Sequence, residues 1–420
     1  MHAQLSALGA ICALFIAILL ILKKVPPAYG MIVAAVLGGI IGGANISNTV
    51  NFMVTGAKEM MPAVLRILAA GVLAGVLIDS GAAAVIAGTI VKKVGETRSL
   101  LALAVSTMIL TTVGVFVDVA VITVSPIALA IAKKTNYSKM AILLAMIGGG
   151  KAGNIMSPNP NAIAASEAFK VPLTSLMIAG VIPAIFGLVI TYLLAKKLAN
   201  KGSTVNAIEL QADNKQLPSF ISAIIAPMIT IILLALRPIF HINIDPMIAL
   251  PIGGLLGAIA MKRGKLVNHD VMSGLEKMSG VAIMLIGTGT LAGIITHSQL
   301  VDVFVHSLHQ SRMSGFLLAP LSGIFMSAAT ASTTAGTAIA SQVFHSSILG
   351  MGVSALGGAA MIQAGATVLD HLPHGSFFHA TAGSVRMHTK ERLMLIPYET
   401  LIGLALAAIS TTIFAVFKIF

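Results

Sequence analysis

Residues 148–166, GGGKAGNIMSPNPNAIAAS, lie between two apolar runs and decide the fold of this 420-residue chain. The stretch combines glycines, two prolines, three asparagines and one lysine in a segment long enough to cross most of a bilayer. Polar, non-helical backbone is tolerated at membrane depth only where it is buried in protein or lines a water-filled cavity. We therefore interpret the stretch as a broken membrane helix that forms one half of a binding site.

Composition places the chain among polytopic membrane proteins. Hydrophobic residues make up 57% of the chain and charged residues 10%, with a mean hydropathy of +0.98. The apolar residues fall in many runs of about 20, the length that spans a hydrocarbon core. The single cysteine, Cys12, excludes an intrachain disulfide and a cysteine metal cluster. The net charge is +12, and the basic residues are scattered through short loops. This distribution indicates residues that set the membrane topology and predicts no nucleic-acid partner.

Hydropathy divides the chain into two halves that carry the same parts. The predicted parts are a first repeat at 1–195 with a hairpin at about 99–132 and a broken helix at 140–168, a cytoplasmic linker at 196–219, and a second repeat at 220–420 with a hairpin at about 313–347 and a broken helix at 355–386. The other predicted spans are about 6–23, 27–44, 62–90, 172–195, 220–240, 246–261, 278–308 and 394–418. Residues 45–59 are expected to lie at the membrane interface.

An internal sequence match supports the two repeats. GVLAGVLIDS at 71–80 matches GTLAGIITHS at 289–298, and the tripeptide AMI recurs at 145–147 and 360–362. Continued without a gap, this register pairs the opening stretch with LDHLPHGSFFHATAG at residues 369–383.

Each repeat predicts five crossings, one of them a broken helix, plus one hairpin that enters and leaves on the same side. An odd number of crossings inverts the second repeat. With both termini outside, most loop lysines and arginines fall on the cytoplasmic side, as the positive-inside rule requires. Hydropathy alone does not distinguish a hairpin from two full spans. Inverted repeats with paired broken helices are typical of secondary transporters in an all-α membrane fold.

The first broken helix offers neutral polar groups. Its prolines free backbone amides, and the predicted substrate-binding side chains are Asn154, Ser157, Asn159 and Asn161. They suit a carboxylate or hydroxyl groups near a half-helix N-terminus. The alternative is a structural kink whose polar groups only satisfy the broken backbone.

The second broken helix offers ionisable groups, which at membrane depth mark ion or substrate pathways. Its predicted proton-coupling residues are Asp370, His371, His374 and His379, and Ser376 is a predicted substrate contact. A metal site of the form Asp-His-x-x-His is the weaker alternative, because Leu-Pro and Gly interrupt the helical face. His379 is alternatively an ordinary residue at the cytoplasmic edge.

The hairpin tips and one lysine complete the predicted site. Asp118 is the lone acid of the first tip and is assigned to proton coupling. In the alignment of the two repeats it corresponds to Thr333. The second tip is rich in small hydroxyl residues, and the predicted substrate contacts there are Ser332, Thr333, Thr334 and Thr337, with helix packing as the alternative. Lys151 is expected to neutralise an acid such as Asp118 or to attract an anionic substrate, with snorkelling as the alternative. Arg66, Asp79 and Glu167 are expected to form ordinary ion pairs or interface contacts.

The motifs at 148–166, 329–341 and 370–383 resemble those of the gluconate:proton symporter (GntP-type) family of bacterial permeases, within the ion-transporter superfamily. The resemblance extends over nearly the whole chain. It implies proton-driven uptake of gluconate, glycerate or a related small hydroxy acid across the bacterial inner membrane. It also implies a transport domain that holds the hairpins and broken helices, and a scaffold domain that can form a homodimer.

The leading prediction is a proton-coupled symporter for a small hydroxy-carboxylate that works by alternating access, with no cofactor and no metal. The runner-up is a sodium-coupled di- or tricarboxylate carrier of the same superfamily. A channel or an intramembrane enzyme is the remaining class, and the sequence contains neither a Walker motif nor HExxH.

Overall fold

The computed structural model describes residues 5–23, 25–95, 98–205, 217–240, 242, 244–300, 315–373 and 375–417, and all its named elements are helices. The first half contains α1 (Ala7–Leu22), α2 (Pro27–Ile41), α3 (Ile46–Glu59), α4 (Met61–Asp79), α5 (Ala82–Val94), α6 (Ser99–Thr112), α7 (Val117–Thr135), α8 (Lys139–Asn154), α9 (Pro160–Ala168), α10 (Leu173–Ala179) and α11 (Val181–Lys197). The second half contains α12 (Phe220–Phe240), α13 (Pro246–Ala260), α14 (Val267–Thr296), α15 (Gly315–Thr330), α16 (Thr333–Gly350), α17 (Ala355–Gly365), α18 (Ser376–Ser384), α19 (Thr389–Leu393) and α20 (Ile396–Ala415).

Long apolar helices make this a polytopic membrane protein. Within the described residues, four helical segments are long and apolar enough to cross a bilayer: Met61–Asp79, Leu173–Lys197, Gly264–Thr296 and Thr389–Ala415. Shorter apolar helices, among them α1, α2, α6, α12, α13 and α15, accompany them.

The two halves repeat one order of helices. The hairpin helices α6 and α7 correspond to α15 and α16, and the broken-helix segments α8 and α9 correspond to α17 and α18. Each of these four helices in the second half begins 216 residues after its counterpart in the first. The offset is one residue larger than the ungapped sequence match. Asp118 and Thr334, rather than Asp118 and Thr333, are consequently the second residues of their helices.

Several predicted segments have different bounds in the structure. The predicted span at 62–90 is two helices, because Gly81 adopts a positive φ of 77° and separates α4 from α5. Residues 278–296 of the predicted span at 278–308 belong to α14, which begins earlier, at Val267, and residues 301–308 lie outside the described part of the chain. Of the predicted linker, residues 206–216 lie outside the described part of the chain.

The segment expected at the membrane interface is helix α3, which packs against α14. An added Cβ at Gly56 would lie 2.1 Å from the carbonyl oxygen of Gly289. Glycine therefore permits the two backbones to touch, as small residues do in membrane helix pairs.

Close packing also explains the glycines of the opening stretch. Every residue of α8 is buried. A Cβ at Gly149 would lie 2.0 Å from the oxygen of Ala104, and one at Gly153 would lie 2.1 Å from the oxygen of Met108. Both contacts are with α6, so these glycines hold the broken helix directly against the first hairpin.

Candidate functional site

The first broken helix stops at Asn154 and restarts at Pro160, and Asn159 organises the break. The Asn159 side chain accepts a hydrogen bond from the amide of Ala162 at 3.0 Å, which caps α9. Its Nδ2 donates to both the backbone and the side-chain oxygens of Asn154, each at 2.6 Å. These bonds occupy both the side-chain oxygen and the side-chain nitrogen of Asn159 within the break. They support the alternative interpretation, in which Asn159 stabilises a structural kink.

Two neighbours of Asn159 differ in how their polar atoms are used. Asn161 is buried and accepts a hydrogen bond from Thr334 at 2.6 Å, which joins the first broken helix to the second hairpin. Ser157 is fully buried, and its hydroxyl has no partner among the described residues.

The second broken helix is unwound over 366–373 and receives the side chain of Lys151 from the first repeat. The Lys151 ammonium donates to the oxygen of Thr367 and to Oδ1 of Asp370, both at 2.6 Å. It lies 3.0 Å from Nδ1 of His371. Lys151, Asp370 and His371 are 1%, 6% and 0% exposed. The ammonium and the carboxylate are therefore stabilised by each other and by their protein neighbours rather than by water. Lys151 thus neutralises an acid, one of its two expected roles, but the acid is Asp370 and not the suggested example Asp118, because the last turn of α8 directs the lysine to the unwound segment of the other repeat.

A buried ion pair continues this network beyond His371. Nε2 of His371 lies 3.2 Å from both the oxygen of Ile396 and the hydroxyl of Thr400. A carbonyl oxygen only accepts, so the network places a hydrogen on Nε2. Nδ1 lies between the Lys151 ammonium, at 3.0 Å, and Oδ1 of Asp370, at 3.1 Å, and therefore faces one donor and one acceptor. Nδ1 also lies 4.0 Å from Glu399, which pairs with the fully buried Arg392.

Sequence reasoning missed Arg392 and Glu399. Glu399 lies inside the last apolar run, and an acid at that depth is itself a signal of a functional or paired group. The sequence therefore contained a signal for Glu399. It contained none for Arg392, which lies in a short helix that hydropathy assigns to the membrane edge.

The second hairpin tip bonds directly to the second broken helix. Thr333 donates from its hydroxyl to Oδ2 of Asp370 at 2.5 Å. Ser332 caps α16 by accepting from the amide of Ala335 at 3.2 Å. Ala331 has a positive φ of 46°, which allows the tight turn between the two hairpin helices.

The first hairpin tip presents Asp118 at the start of α7. Its Oδ1 accepts from the amide of Val119 at 2.9 Å. Among the described residues it makes no ion pair, which distinguishes it from Asp370.

Both tips and the second broken helix meet around one cavity of about 700 Å³. The sequence-predicted residues that line it are Asp118, Asn154, Ser332, Thr333, Thr334, Asp370 and Ser376. The opposite wall comes from the start of α2 at Pro26–Ala28 and from α14 between Lys277 and Met284. The cavity thus gathers residues from the hairpin tips and the broken helices and from two further helices, one in each repeat.

Two further predicted residues that the structure describes, Thr337 and His379, do not line the cavity. Thr337 is fully buried, and its hydroxyl has no partner in the described part of the chain. His379 is exposed, with Nε2 2.8 Å from the oxygen of Pro373. His374 lies outside the described residues.

The expected ion pairs outside the cavity are present. Arg66 on α4 pairs with Glu167 on α9 and, at 2.7 Å, with Asp245 before α13. The hydrogen bonds from Arg66 lower the pKa of the Asp245 carboxyl below its usual range. Asp79 lies 3.6 Å from Lys277.

A helical membrane chain whose two repeats bring hairpin tips and broken helices around one cavity has the architecture of a transporter. The chain belongs to the GntP permease family: residues 5–417 match the family described as GntP family permease. The family is one of permeases, so a small-molecule substrate and an integral membrane location follow.

Relatives agree with this assignment, and one solved structure has a similar fold. An uncharacterised transporter of Haemophilus influenzae is 63% identical over 98% of this chain and 99% of its own length. A high-affinity gluconate transporter of Escherichia coli is 25% identical (84% and 86% covered), and the D-serine transporter DsdX of Escherichia coli is 21% identical (80% and 81% covered). The Alcanivorax borkumensis YdaH transporter has a similar fold, with a TM-score of 0.66, 15% identity and 87% of each chain covered.

Proposed function

We propose that this chain is a secondary active transporter that takes up a small hydroxylated monocarboxylate of the gluconate or glycerate type together with a proton. The observation that carries the proposal is the position of Asp370. This carboxylate lines the cavity and at the same time bonds Lys151 of the other broken helix and Thr333 of the second hairpin. A proton that binds or leaves Asp370 would therefore alter contacts on three moving parts.

The cavity wall suits a small hydroxy acid. A volume of about 700 Å³ lies within the usual range for small-ligand sites. Helix α18 has no side-chain cap, and Ser376 at its first position lines the cavity, so its free amides can receive a carboxylate. Hydroxyls of Ser332 and Thr334, with the carboxylate of Asp118, supply partners for substrate hydroxyl groups. Gluconate and D-serine, which name two relatives, both combine one carboxylate with hydroxyl chemistry.

The predicted topology places the open cavity toward the cytoplasm. Pro26 follows Lys23 and Lys24, and Lys277 lies on the cavity wall; these lysines belong to the loops and helix ends assigned to the inside. In this proposal the termini lie outside, the membrane is the bacterial inner membrane, and the scaffold helices form a homodimer.

Uptake by purified protein in proteoliposomes tests the proposal. An imposed inward proton gradient is expected to drive accumulation of gluconate or glycerate, and a protonophore should abolish it. Asp370→Asn should accumulate none, whereas Glu276→Gln, the same change at an exposed acid on α14, should behave as the unaltered protein. Accumulation that follows a sodium gradient at constant pH would instead establish the sodium-coupled class. Passive equilibration without accumulation would establish a channel.

A further inference from the structure

The ammonium of Lys151 occupies a pocket whose other members are typical cation ligands. They are a backbone oxygen, from Thr367, and a carboxylate oxygen, from Asp370, each at 2.6 Å, with the Nδ1 of His371 at 3.0 Å. Oxygen donors of this kind, carboxylate and carbonyl, are preferred by hard cations.

The backbone of the unwound segment explains why this pocket attracts a cation. Helix α17 ends at Gly365, which leaves the oxygen of Thr367 free of a helical partner and places the negative end of the helix dipole nearby. Unwound carbonyls and half-helix C-termini are the groups that hold coupling ions in transporters built from inverted repeats.

The two oxygens of Asp370 have different partners. Thr333 donates to Oδ2 at 2.5 Å, while Oδ1 receives Lys151 at 2.6 Å and also lies 3.1 Å from Nδ1 of His371. Oδ1 is therefore the oxygen on the side of the cation. With Lys151 only 1% exposed and Asp370 only 6% exposed, removal of the ammonium leaves a buried carboxylate with only Thr333 and His371 as partners and without its charged lysine, which is unfavourable.

The lysine belongs to one repeat only. The offset between the repeats places Ala366 or Thr367 opposite Lys151, and neither carries a charge. The second repeat therefore has no lysine at the position that corresponds to Lys151. One ammonium group, that of Lys151, is shared by the two broken helices.

We propose that Lys151 is a tethered cation that fills an ion site on the second broken helix and thereby excludes sodium as the coupling ion. The inference rests on the proposed function, since it assigns the residue that selects the coupling ion. When the Lys151 side chain is shortened, the site should accept sodium from solution.

Sodium binding to Lys151→Ala tests this directly, without substrate or transport. The purified variant in detergent is heated in 150 mM sodium chloride and in 150 mM choline chloride. The midpoint of unfolding should be about 3 °C or more higher in sodium, as a ligand that binds only the folded state produces. The unaltered protein should show no difference between the salts. Lys265→Ala, which removes an exposed lysine outside the cavity wall, is the matched control and should show none either.

The double variant Lys151→Ala with Asp370→Asn identifies the site. It removes both charges, so it should fold and lose the sodium effect. Equal midpoints for Lys151→Ala in the two salts, or a sodium effect in the unaltered protein, would overturn the inference. The inference also fails if the double variant folds while Lys151→Ala does not fold in either salt, because sodium then does not replace the ammonium. Failure of proton-driven uptake would count against the proposed function and leave these binding results unchanged.

Discussion

The hydroxyl of Thr333 lies 2.5 Å from Oδ2 of Asp370, so the tip of the second hairpin is bonded to the unwound part of the second broken helix. A hydrogen bond to a charged group contributes about 1.5–3 kcal/mol. The bond therefore holds the two elements at a fixed distance on the wall of the cavity.

Replacement of Thr333 by valine should lower the initial uptake rate by roughly 10- to 100-fold, the kinetic equivalent of that bond. Valine keeps the shape of threonine and removes only the donor. Thr333→Ser retains the hydroxyl and should remain near the unaltered rate. Equal rates for the serine and valine variants would contradict a role for the bond in transport.

Asn159→Ala should destabilise the protein by about 1–3 kcal/mol, since it removes the cap of α9 and the two bonds to Asn154. Asn159→Asp keeps an acceptor for the cap but places a buried carboxylate oxygen against the two oxygens of Asn154 in place of the donor, so it should be at least as destabilising as alanine. Thermal unfolding in detergent measures both variants. An alanine variant as stable as the unaltered protein would show that the break does not depend on Asn159.

Gly149→Ala should destabilise the packing of α8 on α6 by about 1–3 kcal/mol, because the added Cβ would lie 2.0 Å from the oxygen of Ala104. Gly383→Ala is the control, since a Cβ there has no atom within 4 Å. The comparison of their unfolding midpoints isolates the steric effect from the change of residue type.

Glu399→Gln should destabilise the protein by about 3–5 kcal/mol, because it leaves Arg392 charged and unpaired in a fully buried position. Combination with Arg392→Met removes both charges and should recover part of the loss. Unfolding midpoints of the two single variants and of the double variant give the coupling energy. Additive effects would contradict a direct pair.

The pair of Arg66 and Asp245 should make a pH-dependent contribution to stability. The pKa of Asp245 is lowered in the folded state, so its contribution is present above the unfolded value of 3.8 and is lost as pH falls through the lower folded value. Because the Asp245 side chain is 33% exposed, the contribution is expected to be about 0.5–1 kcal/mol. Unaltered protein and Asp245→Asn should differ in stability at pH 6, and the difference should shrink as pH falls below 3.8; a constant difference would contradict this assignment.

Much of the fold is accessible from local sequence signals. The prolines at 158 and 160 stop one helix and start the next, and Pro160 is the first residue of α9. The repeat register places both hairpins and both broken helices within a few residues of their observed bounds. Local signals fail at Gly81, where one predicted span is two helices, since a glycine inside an apolar run is compatible with either outcome.

The sequence predicts many of the residues that line the candidate site, but it predicts few of the contacts between them. Asp118, Thr333 and Asp370 stand out because ionisable and hydroxyl groups are unusual at membrane depth, and all three line the cavity. The sequence predicts neutral polar groups on the first broken helix and ionisable groups on the second. It does not predict that Lys151 of the first broken helix contacts Asp370 of the second.

The amino-acid sequence by itself determined the membrane class, the paired repeats and the location of the broken helices, because hydropathy, proline and periodicity act over short distances along the chain. Only the tertiary structure decided that Lys151 pairs with Asp370, 219 residues away, and that Asn159 is occupied within its own break. It also decided that Glu399 and Arg392 extend the network. Partners that are distant in sequence are brought together by the packing of inverted repeats, and no local pattern specifies which of several buried acids a lysine will reach.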